Sequence, residues 1–189
     1  VKVKTSRFGE LQVNDKDIIN FPEGLLGFEN HKRFFVVDPG DATLILWLQS
    51  IDDEKVAFPI IEPKIFKPDY VAKLMPADMR SIELETITET RIYTILTIPS
   101  NVTEMSANLK APIVINNAKK IAKQIVLQDS KLTVTHEMYK DLKKYIVAYS
   151  SDDAKRTNVN VNHGTADASA NAQAKATNKN KNSEKINEA

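Results

Sequence analysis

Apolar residues recur along the first 149 positions in short runs broken by turn-forming residues, and most of these runs read as β-strands. Phe8, Leu11 and Val13 sit among polar neighbours in one short extended run. Ile18-Ile19-Asn20-Phe21 forms a second, closed by Pro22. Phe34–Val37 ends in Asp38-Pro39-Gly40-Asp41, where Pro fixes φ and Gly admits a positive φ, so a turn is expected. Leu44–Leu48, Val56–Ile61 and Ile92–Ile98 follow. In the last run Ile92, Thr94, Leu96 and Ile98 alternate with Tyr93, Ile95 and Thr97, which gives β-branched or apolar residues on both faces and suits a central strand. Asp52-Asp53-Glu54-Lys55 lies between two apolar runs and reads as a hairpin loop. Pro112–Asn116 and Ile121–Leu127 form a further pair, joined by Asn117–Lys120. Pro112 has no N–H to donate, so it belongs at a strand start or a sheet edge.

Helical spacing is rare. Pro76–Arg80 suits a single turn. Met138, Leu142, Tyr145 and Tyr149 predict a helix over 137–149, with Thr135 as its cap and Glu137 favourable to its dipole. No longer repeat is present. Many short strands and few helices predict a mainly β fold: a small antiparallel β-barrel-like domain over 1–149 with a short C-terminal helix. Closure into a barrel would also protect these strands from edge pairing. After Tyr149 the chain has no aromatic residue, no Leu and no Met. Such a stretch cannot offset a chain entropy of about 1–2 kcal/mol per residue, so 150–189 is expected to be a disordered polar tail. Its six bases nearly balance five acids, which fits a solvated extension, with a short binding motif inside it as the sharper alternative.

Charge and composition narrow the function. Lys+Arg number 26 and Asp+Glu 25, so the net charge of +1 supplies no bulk basicity for nucleic acid. Cysteine is absent, which excludes disulfide scaffolds, thiol nucleophiles and cysteine-ligated zinc. Apolar runs such as Leu44–Leu48 fall far short of the roughly 18–20 residues that span a bilayer. Val1-Lys2-Val3-Lys4 has no apolar signal segment, so no secretory signal is expected here. The signs are unevenly spread: Ile51–Thr90 carries nine acids against five bases, and Lys110–Lys144 carries eight lysines against three acids.

Catalytic signatures are missing. His31, His136 and His163 have no metal-ligand spacing, Gly24-Leu25-Leu26-Gly27 lacks the phosphate-loop pattern, and no GxSxG elbow occurs. The acidic pairs Glu83/Glu85 and Glu62/Asp69 would act as general acids or bases only inside a cleft. The lysines of 110–144 suggest an alternative function, a nucleic-acid-binding β-barrel, although Tyr139 is the sole aromatic there to stack a base. Two apolar segments remain. Phe21, Leu25, Leu26 and Phe28 surround two glycines and either plug the core or form a surface patch. Leu109–Ile115 is either a core strand or an edge open to an extended peptide.

Five segments in order resemble one known family: IINFPEGLLGFE (18–29), LWLQSIDD (46–53), VAFPIIEP (56–63), PDY (68–70) and NLKAPIVINNAKKIAKQIVL (108–127). From about Phe8 to about Asp129 the chain is similar to the flagellar assembly factor FliW family. The resemblance implies a small β-barrel-like cytoplasmic protein that is not an enzyme and needs no cofactor or metal. It implies flagellin and the RNA-binding translational repressor CsrA as partners, a chaperone-like hold on flagellin, and antagonism of CsrA that couples flagellin translation to export. A monomer is expected, with neither membrane nor nucleic acid as a direct partner. Leu109, Pro112, Ile113 and Ile115 are the candidate flagellin contacts, with Phe58 as a lesser one, and Ile113→Asp is expected to abolish binding without unfolding. Asp52, Asp53, Glu54 and Glu62 are the candidate CsrA contacts, against the alternative of a merely solvated acidic loop. Pro22, Gly24, Gly27, Pro63 and Pro112 are read as backbone-geometry residues. The helix over 137–149 and the tail lie beyond the matched region.

Overall fold

In the computed structural model, which describes residues 1–40 and 43–152 with side chains to 146, the strands are short and follow the apolar runs. They are β1 (Lys2–Thr5), β2 (Gly9–Gln12), β3 (Ile19–Asn20), β4 (Arg33–Val37), β5 (Leu46–Ser50) and β6 (Ala57–Ile61). Helix α1 (Pro76–Ser81) precedes β7 (Thr90–Thr97), β8 (Ser106–Ala107), β9 (Ile113–Asn116), β10 (Ile121–Gln124), β11 (His136–Glu137) and α2 (Tyr139–Asp152).

Seven strands close a barrel in the order β7-β6-β5-β4-β3-β10-β9, and β9 returns to β7. Neighbours are antiparallel except at one seam, where β3 and β10 run parallel and meet at Asn20 and Ile121. Strand alternation sorts the side chains. Phe34, Leu48, Ile60, Tyr93, Ile113 and Ile115 fill the interior, and Phe21 and Leu25 join them from the loop after β3. The alternate residues Ile61, Leu96 and Val114 face a second cluster, where Phe66, Tyr70, Ile82, Leu84, Ile125, Leu127, Met138 and Leu142 cover the outside of the wall. Burial on both faces explains the apolar or β-branched residues of 92–96 and 113–115, whereas Thr97 and Ile98 are exposed. The β1–β2 hairpin packs separately, through Val3 and Val13 against Phe35.

Two expectations change. Strand β9 is not an open edge, because β10 pairs with one side and β7 with the other. Pro112 is accommodated just before the strand, where its carbonyl accepts the Ile125 N–H at 2.9 Å. Helix α2 begins at Tyr139, so Thr135 does not cap it. His136 and Glu137 instead pair with Ala107 and Ser106 as β11, and a backbone pairing that anchors the fully buried Met138 overrides the helical pattern. β1, β8 and β11 carried no clear apolar signal. Of the expected tail, residues 153–189 lie outside those described.

The family-like stretch 108–112 is an insertion in the wall. β7 pairs with β8 at Leu96–Ala107 and with β9 at Tyr93–Ile113, so two residues of β7 face five on the other side. The extra backbone is tied from several directions. Ala111 N–H donates to Asn108 Oδ1 (3.0 Å), Tyr70 O–H to the Leu109 carbonyl (3.0 Å) and Gln124 Nε2 to the Ala111 carbonyl (3.1 Å). Burial pushes the Tyr70 phenol up to about 12, so it remains a donor at any working pH.

Candidate functional site

The acidic loop between β5 and β6 is built around one buried amide. Gln49 is fully buried, and its Nε2 faces the carbonyls of Ser50 (3.0 Å), Val56 (3.1 Å), Asp53 (3.3 Å) and Glu54 (3.5 Å). Ser50 Oγ accepts the N–H groups of Asp52 (3.0 Å) and Asp53 (3.2 Å). The hairpin that the sequence predicts at 52–55 is therefore a rigid platform. The Asp52 carboxylate accepts from Arg33 Nη2 (2.7 Å) and Nε (3.0 Å), and from the backbone N–H of Lys32 (3.0 Å) and Arg33 (3.1 Å). Partial burial works to raise this carboxyl, but the Arg33 side chain and the two N–H donors outweigh it and hold it below the ordinary value. Asp52 is thus committed to structure, and the half-buried Asp53 and the exposed Glu54 carry the outward charge. Glu62 lies at the far end of β6, about 17 Å along the strand from Ala57, and does not join them.

Beside this loop stands a ring cluster. Phe28 meets Phe58 edge-on at 4.8 Å, and His31 lies 5.9 Å from Phe28 and 3.8 Å (Nε2) from Asp53 Oδ2. The glycine loop does both things open to it from sequence. Phe21 and Leu25 plug the core, while Leu26 and Phe28 are exposed. Gly24 makes the division possible: its φ is +72°, and a Cβ there would sit 2.6 Å from Glu29 Cα. Leu26 N–H donates to Gln124 Oε1 (3.1 Å), and Glu23 pairs with Lys123 (2.9 Å), which fasten the loop to β10. Phe28, Phe58, His31 and Asp53 thus form one acid–aromatic face, with the exposed Glu54 next to Asp53 in the chain.

The other flagellin candidates lie elsewhere. Leu109 (1% exposed), Ile113 (0%), Ile115 (2%) and the buried Pro112 are packing residues of the closed wall, so they offer no surface as the barrel stands. In the closed wall both faces of 113–115 are covered, Val114 on one side and Ile113 and Ile115 on the other, which accounts for their consecutive apolar residues. Phe58, half-buried in the ring cluster, is the member of that set in contact with the acid–aromatic face.

The lysine-rich segment is largely engaged. Lys119, Lys123 and Lys144 pair with Glu83 (2.6 Å), Glu23 (2.9 Å) and Asp141 (3.8 Å). Lys110 donates to the Asp129 carbonyl (2.6 Å) and Lys120 to Asn117 Oδ1 (2.9 Å). Of the acidic pairs, Glu83 is held by Lys119, and Asp69 is exposed and held by Lys67 (3.1 Å). Among the described residues no three His, Asp or Glu are grouped to hold a metal.

One feature had no sequence signal, because it joins three distant chain regions. Ile45 just before β5 and Trp47 within it, Ile98 and Val102 after β7, and Tyr139, Lys143 and Ile146 of α2 line an open apolar groove of about 520 Å³. The Arg7 guanidinium lies 3.9 Å from the centre of the Trp47 ring, and Phe8 meets that ring edge-on at 6.1 Å.

Barrel and surfaces together define a class: a small closed β-barrel whose prominent features are faces suited to macromolecular contact. The family profile described as FliW protein matches residues 2–138. A flagellar assembly factor FliW of Bdellovibrio bacteriovorus is 39% identical over 145 residues, covering 77% of this chain and 83% of the relative. Another, of Thermosipho africanus, is 40% identical over 134 residues, covering 70% and 92%. A crystal structure of the flagellar assembly factor FliW is 30% identical, with a TM-score of 0.68 and coverage of 73% of this chain and 96% of that one. The chain belongs to the FliW family of flagellar assembly factors. Helix α2 begins immediately after the matched segment. Among the described residues no helix is long and apolar enough to cross a membrane.

Proposed function

We propose that this chain binds flagellin in the cytoplasm and antagonises the translational repressor CsrA, coupling flagellin translation to export. It acts by docking, as a monomer, with no cofactor and no covalent step. The observation that carries the CsrA half is the acid–aromatic face. A protein that holds RNA presents positive charge, and Asp53 and Glu54 sit on a loop locked by Gln49, where Asp53 approaches the Phe28–Phe58 pair through His31. Phe28 and Phe58 supply the apolar centre, and the carboxylates set approach rate and register. Asp52 acts by fixing the loop, and Glu62 stands outside the face. Leu109, Pro112, Ile113 and Ile115 serve binding indirectly, by holding the wall.

The test is titration calorimetry of the full chain with purified flagellin and with purified CsrA. Micromolar or tighter binding to both is expected, and reversing Asp53 and Glu54 to Lys should slow CsrA association and flatten its salt dependence. Indifference to both proteins would sink the proposal.

A further inference from the structure

We propose that the apolar groove between α2 and the start of β5 seats an amphipathic helix of the partner, whose apolar face is flanked by an acidic side chain that reaches Lys143. The assignment rests on the reading of this chain as a flagellin-binding factor. It places that partner on a surface separate from the acid–aromatic face.

Three observations select this occupant. The first is the lining: the groove of about 520 Å³ is open and faced by the apolar side chains of Ile45, Trp47, Ile98, Val102 and Ile146. The second is backbone economy. An extended peptide binds by adding to a sheet edge, but β5 has none to offer here, because Trp47 is paired with Val37 on one side and Pro59 on the other. Affinity must come from side-chain burial alone, which favours a segment whose own backbone is already hydrogen-bonded. A helix meets that condition, and presents anchors at i, i+3 or i+4, and i+7. The third is charge. Lys143 lines the groove and is exposed, with no ion-pair partner among the described residues, whereas its neighbour Lys144 is paired with Asp141. The groove therefore favours an acid-flanked helix and repels a basic one, the opposite of the preference set by Asp53 and Glu54. The two faces lie at opposite ends of β5, whose Leu46–Ser50 span is about 13 Å.

Trp47 is the single tryptophan of the chain, so its emission reports the groove directly. The full chain is titrated with purified flagellin, with CsrA, and with a designed helical peptide carrying Leu at i, i+3, i+4 and i+7 and Glu on both flanks. Flagellin and the peptide should shift Trp47 emission, and CsrA should not. Ile98 and Val102 are both exposed, 39% and 49%, so Ile98→Glu with Val102→Glu leaves the core intact. This double variant should weaken flagellin and peptide binding by roughly tenfold to a hundredfold and leave CsrA binding unchanged. Lys143→Glu should weaken both by a smaller factor. Flagellin binding that is undiminished in the double variant, with a silent Trp47, overturns the assignment. So does a Trp47 shift produced by deleting 153–189, which would make the chain's own end the occupant, or a dimer that the double variant dissociates. A wild-type chain that ignores flagellin yet binds the peptide at Trp47 would defeat the functional reading and keep the groove. Failure of both ligands would defeat both.

Discussion

Replacing Gln49 with Leu tests whether one buried amide organises the acidic face. The substitution keeps the approximate volume and removes both Nε2 donors from carbonyls 3.0–3.5 Å away. Several of those carbonyls keep another partner: Glu54 accepts from Ser6 N–H (2.9 Å), Val56 from Ser50 N–H (2.9 Å) and Asp53 from Val56 N–H (3.2 Å). The loss is therefore two net hydrogen bonds, at about 0.5–1.5 kcal/mol each, rather than four orphaned acceptors. Gln49 Oε1 is buried without a partner, and Leu also removes that cost. A destabilisation of about 1–2 kcal/mol results, which for a domain of this size lowers Tm by roughly 2–8 °C. Gln49→Glu should be worse at neutral pH, because an anion then faces the carbonyls, and should recover on acidification as the protonated acid regains a donor. Thermal denaturation gives the magnitude, and amide exchange at 52–55 gives the location. A Gln49→Leu variant with wild-type Tm and wild-type exchange in that loop would refute the reasoning.

Other substitutions separate core from surface. Ile113→Asp should unfold the barrel rather than remove one contact, at a cost of about 4 kcal/mol or more for a carboxylate at a fully buried site, measurable by circular dichroism and denaturant melts. Gly24→Ala should cost more than Gly27→Ala: both φ values are positive, but only Gly24 has backbone within 3 Å of the new Cβ, and urea midpoints would rank them. Asp52 has its pKa lowered on folding, so its stabilisation is present above the unfolded value of 3.8 and is lost as pH falls through the folded value. Asp52→Asn should therefore lose stability mainly at neutral pH and converge toward wild type in acid, as followed by melts across pH 2–7.

Much of the wall was legible in the chain. β4, β5, β6, β7, β9 and β10 lie in apolar runs, and the acidic hairpin and the 117–120 connection follow the turn residues between them. The two-residue strands β8 and β11 were not legible, because Ser106-Ala107 and His136-Glu137 have no apolar alternation and are strands only through each other and β7. The candidate contacts divide in the same way. Asp53 and Glu54 were readable as a charged loop, but consecutive apolar residues at 113–115 fit a core strand and an open edge equally well.

Local patterning, through turn chemistry and strand periodicity, determined the class of fold, the acidic loop and the family. Barrel closure determined the rest, because it is a property of long-range pairing. It took both edges of β9 and buried Ile113. It brought Phe28, Phe58 and Asp53 onto one face, and it set Trp47 beside a helix almost a hundred residues away. A linear pattern records which side chains avoid water, and only the packed chain decides which of them it leaves for a partner.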